Sequence, residues 1–123
     1  MGFNQNMLQG FGSSALVEFK CGKMNFDGKR AKPDRRKGLL KIVNEGQIKK
    51  LQWCDADTKT PIDNLYLMPG EAKFEKVIQS NDRVYLLEFT HTNQRFFYWM
   101  QEEDSTKDKE LADKVNNLIN GRQ

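Results

Sequence analysis

"RFFYWMQEED", residues 95–104, decides how this chain reads: five large apolar side chains run together and then stop at four polar ones. Successive side chains of a strand point to opposite faces. As a strand, the run sends Phe96, Tyr98 and Met100 one way and Arg95, Phe97, Trp99 and Gln101 the other. Both faces are then apolar. Either the strand is sandwiched on both sides or one face belongs to a partner.

Upstream lie six more short apolar clusters, "ALVEFK", "GLLKIV", "IKKLQWCD", "NLYLM", "AKFEKVI" and "RVYLLEF". With "RFFYWM" they make seven candidate strands near the usual length of about 5–6 residues. Turn chemistry separates them, in "NEGQ", "DADTKTPID", "PGE", "QSND" and "THTNQ", with the long "FDGKRAKPDRRKG" after the first. Beyond Met100 the period changes. Leu111, Val115, Leu118 and Ile119 fall at i, i+4, i+7 and i+8, one stripe of a helix, with Asp104 or Ser105 to cap its start and Gly121 at its end. The expected fold is mainly β: a pleckstrin-homology-like, seven-stranded antiparallel barrel or sandwich capped by one C-terminal helix. The Gly-, Asn- and Gln-rich residues 1–14 read as a mobile arm, and residues 15–123 as one domain.

The net charge of +3 conceals an asymmetry. Residues 1–50 hold eleven Lys or Arg against four acids, whereas residues 51–123 hold nine against thirteen. Such polarity implies two different surfaces, one suited to an acidic and one to a basic partner. No apolar run approaches the roughly 18 residues of a membrane span and the start lacks the pattern of a signal peptide, so an intracellular chain is expected. Cys21 and Cys54 lack CxxC spacing and His91 is the sole histidine, which leaves a zinc site short of ligands. Buried free thiols are expected, with no metal and no cofactor.

Catalysis requires a nucleophile with its base, paired carboxylates, a phosphate-binding loop or metal ligands at workable spacing. None of these constellations is evident, so no catalytic residue is assigned. The feature that asks for a ligand is "KMNFDGKRAKPDRRKG", residues 23–38, with seven cations in sixteen residues. It reads as a solvated loop or as a site for an acidic tail or a phosphoinositide headgroup. Nucleic acid is not expected, since aromatic residues are not interleaved with the cations. Trp53 reads as core, whereas Trp99, on the doubly apolar strand beside an Arg, reads as a binding hot spot.

"LVEFKCGKM", "KPDRRKGLLKI", "LQWCD", "LYLMPGE", "RVYLLEF" and "RFFYWMQE" resemble, in order and spacing, the pleckstrin-like receptor for ubiquitin (Pru) domain of the proteasomal ubiquitin receptor family, over residues 15–120. The resemblance narrows the expected location to a cytoplasmic and nuclear one and implies a non-catalytic adaptor with two partners. One is ubiquitin and its chains, met by loops through Ile48, Met68, Pro69, Gly70, Glu71, Phe89 and His91. The other is the C-terminal tail of the large non-ATPase scaffold subunit of the proteasome regulatory particle. That tail would be gripped by Met24, Ala31, Pro33, Val77, Val84, Arg95, Phe97, Trp99 and Glu102, with Arg35, Arg36 and Lys37 near it. On this reading Phe96, Tyr98 and Met100 fill the core, and Phe97 and Trp99 line a groove. Two positions depart from the family pattern: Met68 stands where an aromatic is typical, and Gly70 replaces the first of two acids. A docking-only subunit and a phosphoinositide-binding module are the rival readings; a membrane partner is otherwise not expected. The helical domain with which relatives recruit a deubiquitinase is expected to be absent from a chain ending at Gln123.

Overall fold

A computed structural model describes residues 15–26, 30–79 and 82–121; the expected arm, 1–14, lies outside these residues. Among the described residues eight strands follow in order: β1 Ala15–Phe26, β2 Ala31–Pro33, β3 Gly38–Glu45, β4 Ile48–Asp55, β5 Pro61–Leu67, β6 Ala72–Lys76, β7 Val84–Phe89 and β8 Arg95–Met100. A 3-10 turn, Ser105–Lys107, then leads into α1, Asp108–Ile119. The mainly β, antiparallel reading with one C-terminal helix therefore holds. Its count of seven strands does not, because β2 was hidden in the basic segment. Of the two expected alternatives, barrel and sandwich, the closed barrel is not formed: the sheet order is β5-β4-β3-β1-β8-β7-β6, with β2 attached to β1 and the edges β5 and β6 unpaired with each other.

The twelve residues of β1 make the corner of this sheet. Its first half pairs with β3, with a register shift between Ala15 and Val17, and Cys21 to Lys23 pair with β8. The switch puts two layers of strands face to face, and between them lie Phe19, Leu40, Ile42, Leu51, Trp53, Phe74, Leu87 and Tyr98, all nearly or fully buried. Cys21 and Cys54 are buried free thiols, as expected, and burial raises the pKa of both.

Along α1 the apolar stripe meets this core through Ala112, Val115, Leu118 and Ile119, with Leu111 at its rim. Asp104, expected to cap the helix, caps the preceding 3-10 turn instead, its carboxylate accepting from the Thr106 N–H at 3.0 Å. Asn116 then does for β6 what a neighbouring strand would do. Its amide accepts from the Phe74 N–H at 2.9 Å and donates to the Phe74 carbonyl at 2.7 Å, which satisfies an edge backbone that would otherwise be open. Arg83 fixes the other end of the helix: two donors reach the Asp108 carboxylate at 2.7 Å each, and one also reaches the Glu102 carbonyl at 2.8 Å.

Candidate binding surfaces

Strand alternation puts Phe97 and Trp99 on the outer face of β8, while Tyr98 and Met100 are buried and Phe96 is half-buried against the core. The opening stretch thus fills the core with one face and offers the other. Cross-strand register builds the offered face in rows. Trp99 stands opposite Gly22 on β1 and Val84 on β7, and Val77 continues the row, its N–H donating to the Val84 carbonyl at 2.9 Å. In the next row Leu86 faces Phe97, and Met24 faces Pro33 on β2. Met24, Pro33, Val84 and Trp99 share the walls of a hollow of about 390 Å³ with Asp82 and Arg83.

Gly22 is the local reason that this face is flat enough to receive a chain. A Cβ there would overlap the Trp99 ring, so glycine lets the indole lie down across β1. At one border Arg95 is exposed and pairs with Glu88 at 3.1 Å, and at the other the Glu102 carboxylate accepts from the Lys20 N–H at 2.7 Å. Ala31 pairs with Phe26 through the backbone. Strand parity singled out Phe97 and Trp99, and the resemblance named the rest of the set; it left out Leu86, which the period-2 pattern of "VYLLEF" places beside Phe97.

Within the described part of the cationic segment, Asp34 is the organising acid. Asp34 accepts from Arg36 through the backbone N–H (3.0 Å), Nε (2.9 Å) and Nη2 (2.8 Å), and from Asn25 at 3.1 Å. The Arg36 guanidinium, first among several partners, holds the Asp34 carboxyl well below the usual carboxylate range. Lys23 is likewise engaged with Asp63 at 2.6 Å. Both cations also lie near the buried Trp53 ring, at 5.4 Å for Lys23 and 5.8 Å for Arg36. Trp53 is core, as expected, and its Nε1 donates to the Cys21 carbonyl at 2.7 Å.

The second set of expected contacts gathers at one end of the sheet. Glu45 and Ile48 flank a two-residue hairpin whose first central residue, Gly46, has φ +65°. Residues 68–71 close a turn with Pro69 and Gly70 at its centre: the Glu71 N–H donates to the Met68 carbonyl at 3.0 Å, and Gly70 has φ +76°. Proline then glycine with positive φ is the preference of a type II turn. Gly70 is thus required by the turn, a local reason for its departure from two consecutive acids. The loop after β7 is tied to this turn, since the Thr90 N–H donates to the Glu71 carbonyl at 3.0 Å.

Within this set, exposure differs. Ile48 and Met68 are 40% and 45% exposed, and His91 lies exposed in its loop. Phe89 is only half-buried at the rim of the core, edge-on to Phe96 with ring centroids 6.0 Å apart. Its truncation therefore carries a structural cost. Phe89→Ala is expected to lower stability by about 1–3 kcal/mol, part of the full cost for a buried Phe, besides weakening any ligand held at the loops. Thermal melts alongside titration check this; an unchanged melting temperature would refute the packing role.

Sequence reasoning passed over one more residue here. Tyr66, on β5, is 51% exposed and sits opposite Lys50 in the β4–β5 register, and Ile48 and Met68 each lie two residues beyond this pair, at the same parity. Its hydroxyl donates to Glu45 at 2.9 Å, and Lys50 donates to the same carboxylate at 2.7 Å. Lys50 first, and then Tyr66, lowers the Glu45 pKa. The period-2 pattern of "NLYLM" was the available signal, since it puts Tyr66 and Met68 on one face.

Among the described residues, no group of three or more His, Cys, Asp or Glu is placed to hold a metal ion, and no helix is long and apolar enough to cross a membrane. Residues 16–112 match the family model described as "Proteasome complex subunit Rpn13, Pru domain". Three relatives named "Proteasomal ubiquitin receptor ADRM1" are similar over most of the chain. The protein of Xenopus tropicalis is 38% identical over 114 residues, 91% of this chain and 28% of its own length. The human protein is 36% identical over the same extent, and that of Danio rerio 37% identical over 110 residues, 88% of this chain and 27% of its own. The chain thus spans little more than a quarter of these relatives. The match of nearly all the described strands and the start of the helix to one family model decides the family: the chain belongs to the Pru domains of proteasome subunit Rpn13.

Proposed function

We propose that this domain is a non-catalytic ubiquitin receptor of the proteasome, which docks through the outer face of β1, β8 and β7 and binds ubiquitin through the loop end. Two separate apolar surfaces in one small domain carry the reading. One is a groove floored by Trp99, Phe97 and Val84; the other is an exposed cluster at Ile48 and Met68. The relatives' name, proteasomal ubiquitin receptor, supplies the two matching partners, the proteasome and ubiquitin. For the groove the proposed occupant is the C-terminal tail of the large non-ATPase scaffold subunit, laid as an extended peptide over Gly22 and Trp99. An extended chain suits a shallow, sheet-floored hollow with aromatic anchors.

The phosphoinositide reading is weakened in part by the basic segment itself, because two of its seven cations, Lys23 and Arg36, are paired with Asp63 and Asp34. The docking-only reading rested on Met68 and Gly70. Gly70 has the turn as its reason, and exposed Met68 retains a flexible, polarizable apolar surface.

An isotope-edited titration with monoubiquitin, followed by one with the scaffold-tail peptide, tests the proposal. Ubiquitin should move resonances at Ile48, Met68 to Glu71 and Phe89 to His91. The tail should move Met24, Val84, Phe97 and Trp99 and leave the first set in place. A spectrum silent to ubiquitin at near-millimolar concentration would refute the receptor role, and salt-sensitive retention on phosphoinositide vesicles in its place would establish the membrane reading.

A further inference from the structure

Three of the four large apolar side chains most exposed among the described residues, Ile48, Tyr66 and Met68, share one small outer face at the β4–β5 end. Clustering of this kind marks an interaction surface where scattered exposed residues would not. Tyr66 is the least expected of the three, and the best held. From β5 its hydroxyl reaches Glu45 on β3 at 2.9 Å, so the side chain must span the intervening β4. Lys50, on β4, lies 5.9 Å from the ring centroid and donates to the same Glu45 carboxylate. The phenol is pinned at its tip and supported from beneath, yet half of its surface remains open to solvent.

We infer that Tyr66 is a contact residue of the ubiquitin-binding face, an aromatic platform fixed by Glu45 and Lys50 beside Ile48 and Met68. The inference rests on the receptor reading above and extends its loop set onto the strand surface. It also answers the departure at Met68, where the family pattern favours an aromatic: the ring is supplied two residues earlier, on the same face of β5. A ring held before binding loses little rotamer freedom when a partner covers it, which is the advantage of a preorganised anchor over a free side chain. Ubiquitin is the occupant argued for, because this surface is continuous with Ile48 and Met68, the residues on which the receptor reading already relies.

Ubiquitin affinity measured for the wild-type chain, Tyr66→Ala and Tyr66→Phe tests the inference, with thermal melts and sedimentation of each. Tyr66→Ala should weaken binding about tenfold or more, as loss of an aromatic anchor does. Tyr66→Phe keeps the ring but frees its tip, and should weaken binding by roughly twofold to fivefold, the part due to preorganisation. Melting temperatures should stay close to wild type, because Tyr66 is half-exposed. Wild-type binding that Tyr66→Ala leaves unchanged would overturn this inference and spare the receptor reading. A wild-type chain silent to ubiquitin would overturn both. Self-association that Tyr66→Ala abolishes, with ubiquitin affinity intact, would assign the face to a second copy of the chain.

Discussion

Trp99→Ala is expected to remove scaffold-tail binding while leaving the domain folded and its ubiquitin affinity intact. The indole lies over Gly22 between β1 and β7, half-buried, with the rows of Val77, Val84, Phe97 and Met24 around it. A central aromatic anchor of this kind commonly contributes about 2–4 kcal/mol, roughly thirty-fold to a thousand-fold in affinity. Its neighbour in sequence supplies the contrast. Tyr98 is 1% exposed on the opposite face, so Tyr98→Ala is a core truncation, for which about 3–5 kcal/mol of stability is typical. Calorimetry with the tail peptide and melting temperatures for both variants separate the two faces. Equal melting temperatures, or a Trp99→Ala chain that grips the tail at wild-type strength, would refute the assignment of Trp99 to the groove.

The two faces of β8 were legible because strand alternation depends only on position parity, and "RFFYWM" carries apolar residues at both parities. The helix was legible for a similar reason, its stripe of Leu111, Val115, Leu118 and Ile119 having one period. What escaped was whatever depends on a non-local partner. β2 is three residues, "AKP", with charged neighbours and a proline; its place beside β1 comes from Met24↔Pro33 pairing and from Asp34, whose N–H donates to the Lys23 carbonyl at 2.9 Å. The choice between barrel and sandwich stayed open in the sequence, because seven or eight short strands fit a closed barrel and an unclosed sandwich equally. The candidate contacts Ile48 and Met68 were reached through family resemblance; for Tyr66 the pattern of "NLYLM" signals only the face it shares with Met68, whereas its anchoring depends on the β4–β5 register and the reach to Glu45 on β3, which no window along the chain contains.

Gly38→Ala should act oppositely to Trp99→Ala, taking stability and both binding activities together. A Cβ at Gly38 would overlap the Trp53 ring, and that ring cannot step aside: it is fully buried, and its Nε1 is committed to the Cys21 carbonyl at 2.7 Å. Overpacking a filled core costs about 1–3 kcal/mol, and displacing the indole leaves a buried carbonyl unpaired for about 1–3 kcal/mol more. Against a total stability of about 5–15 kcal/mol, a combined loss of about 3 kcal/mol or more is severe. Function should follow, because Cys21 precedes Gly22 at the corner where β1 passes from β3 to β8, so the same strain reaches the floor of the groove. The clash also predicts coupling. In a Trp53→Leu background, itself destabilised, the further change Gly38→Ala should cost much less than in the wild type, since the ring it strikes is gone. Chemical denaturation of the four chains of this cycle measures that coupling. A Gly38→Ala cost that is small in the wild type, or as large without the indole as with it, would show that the glycine serves the backbone of β3 and not the packing of Trp53.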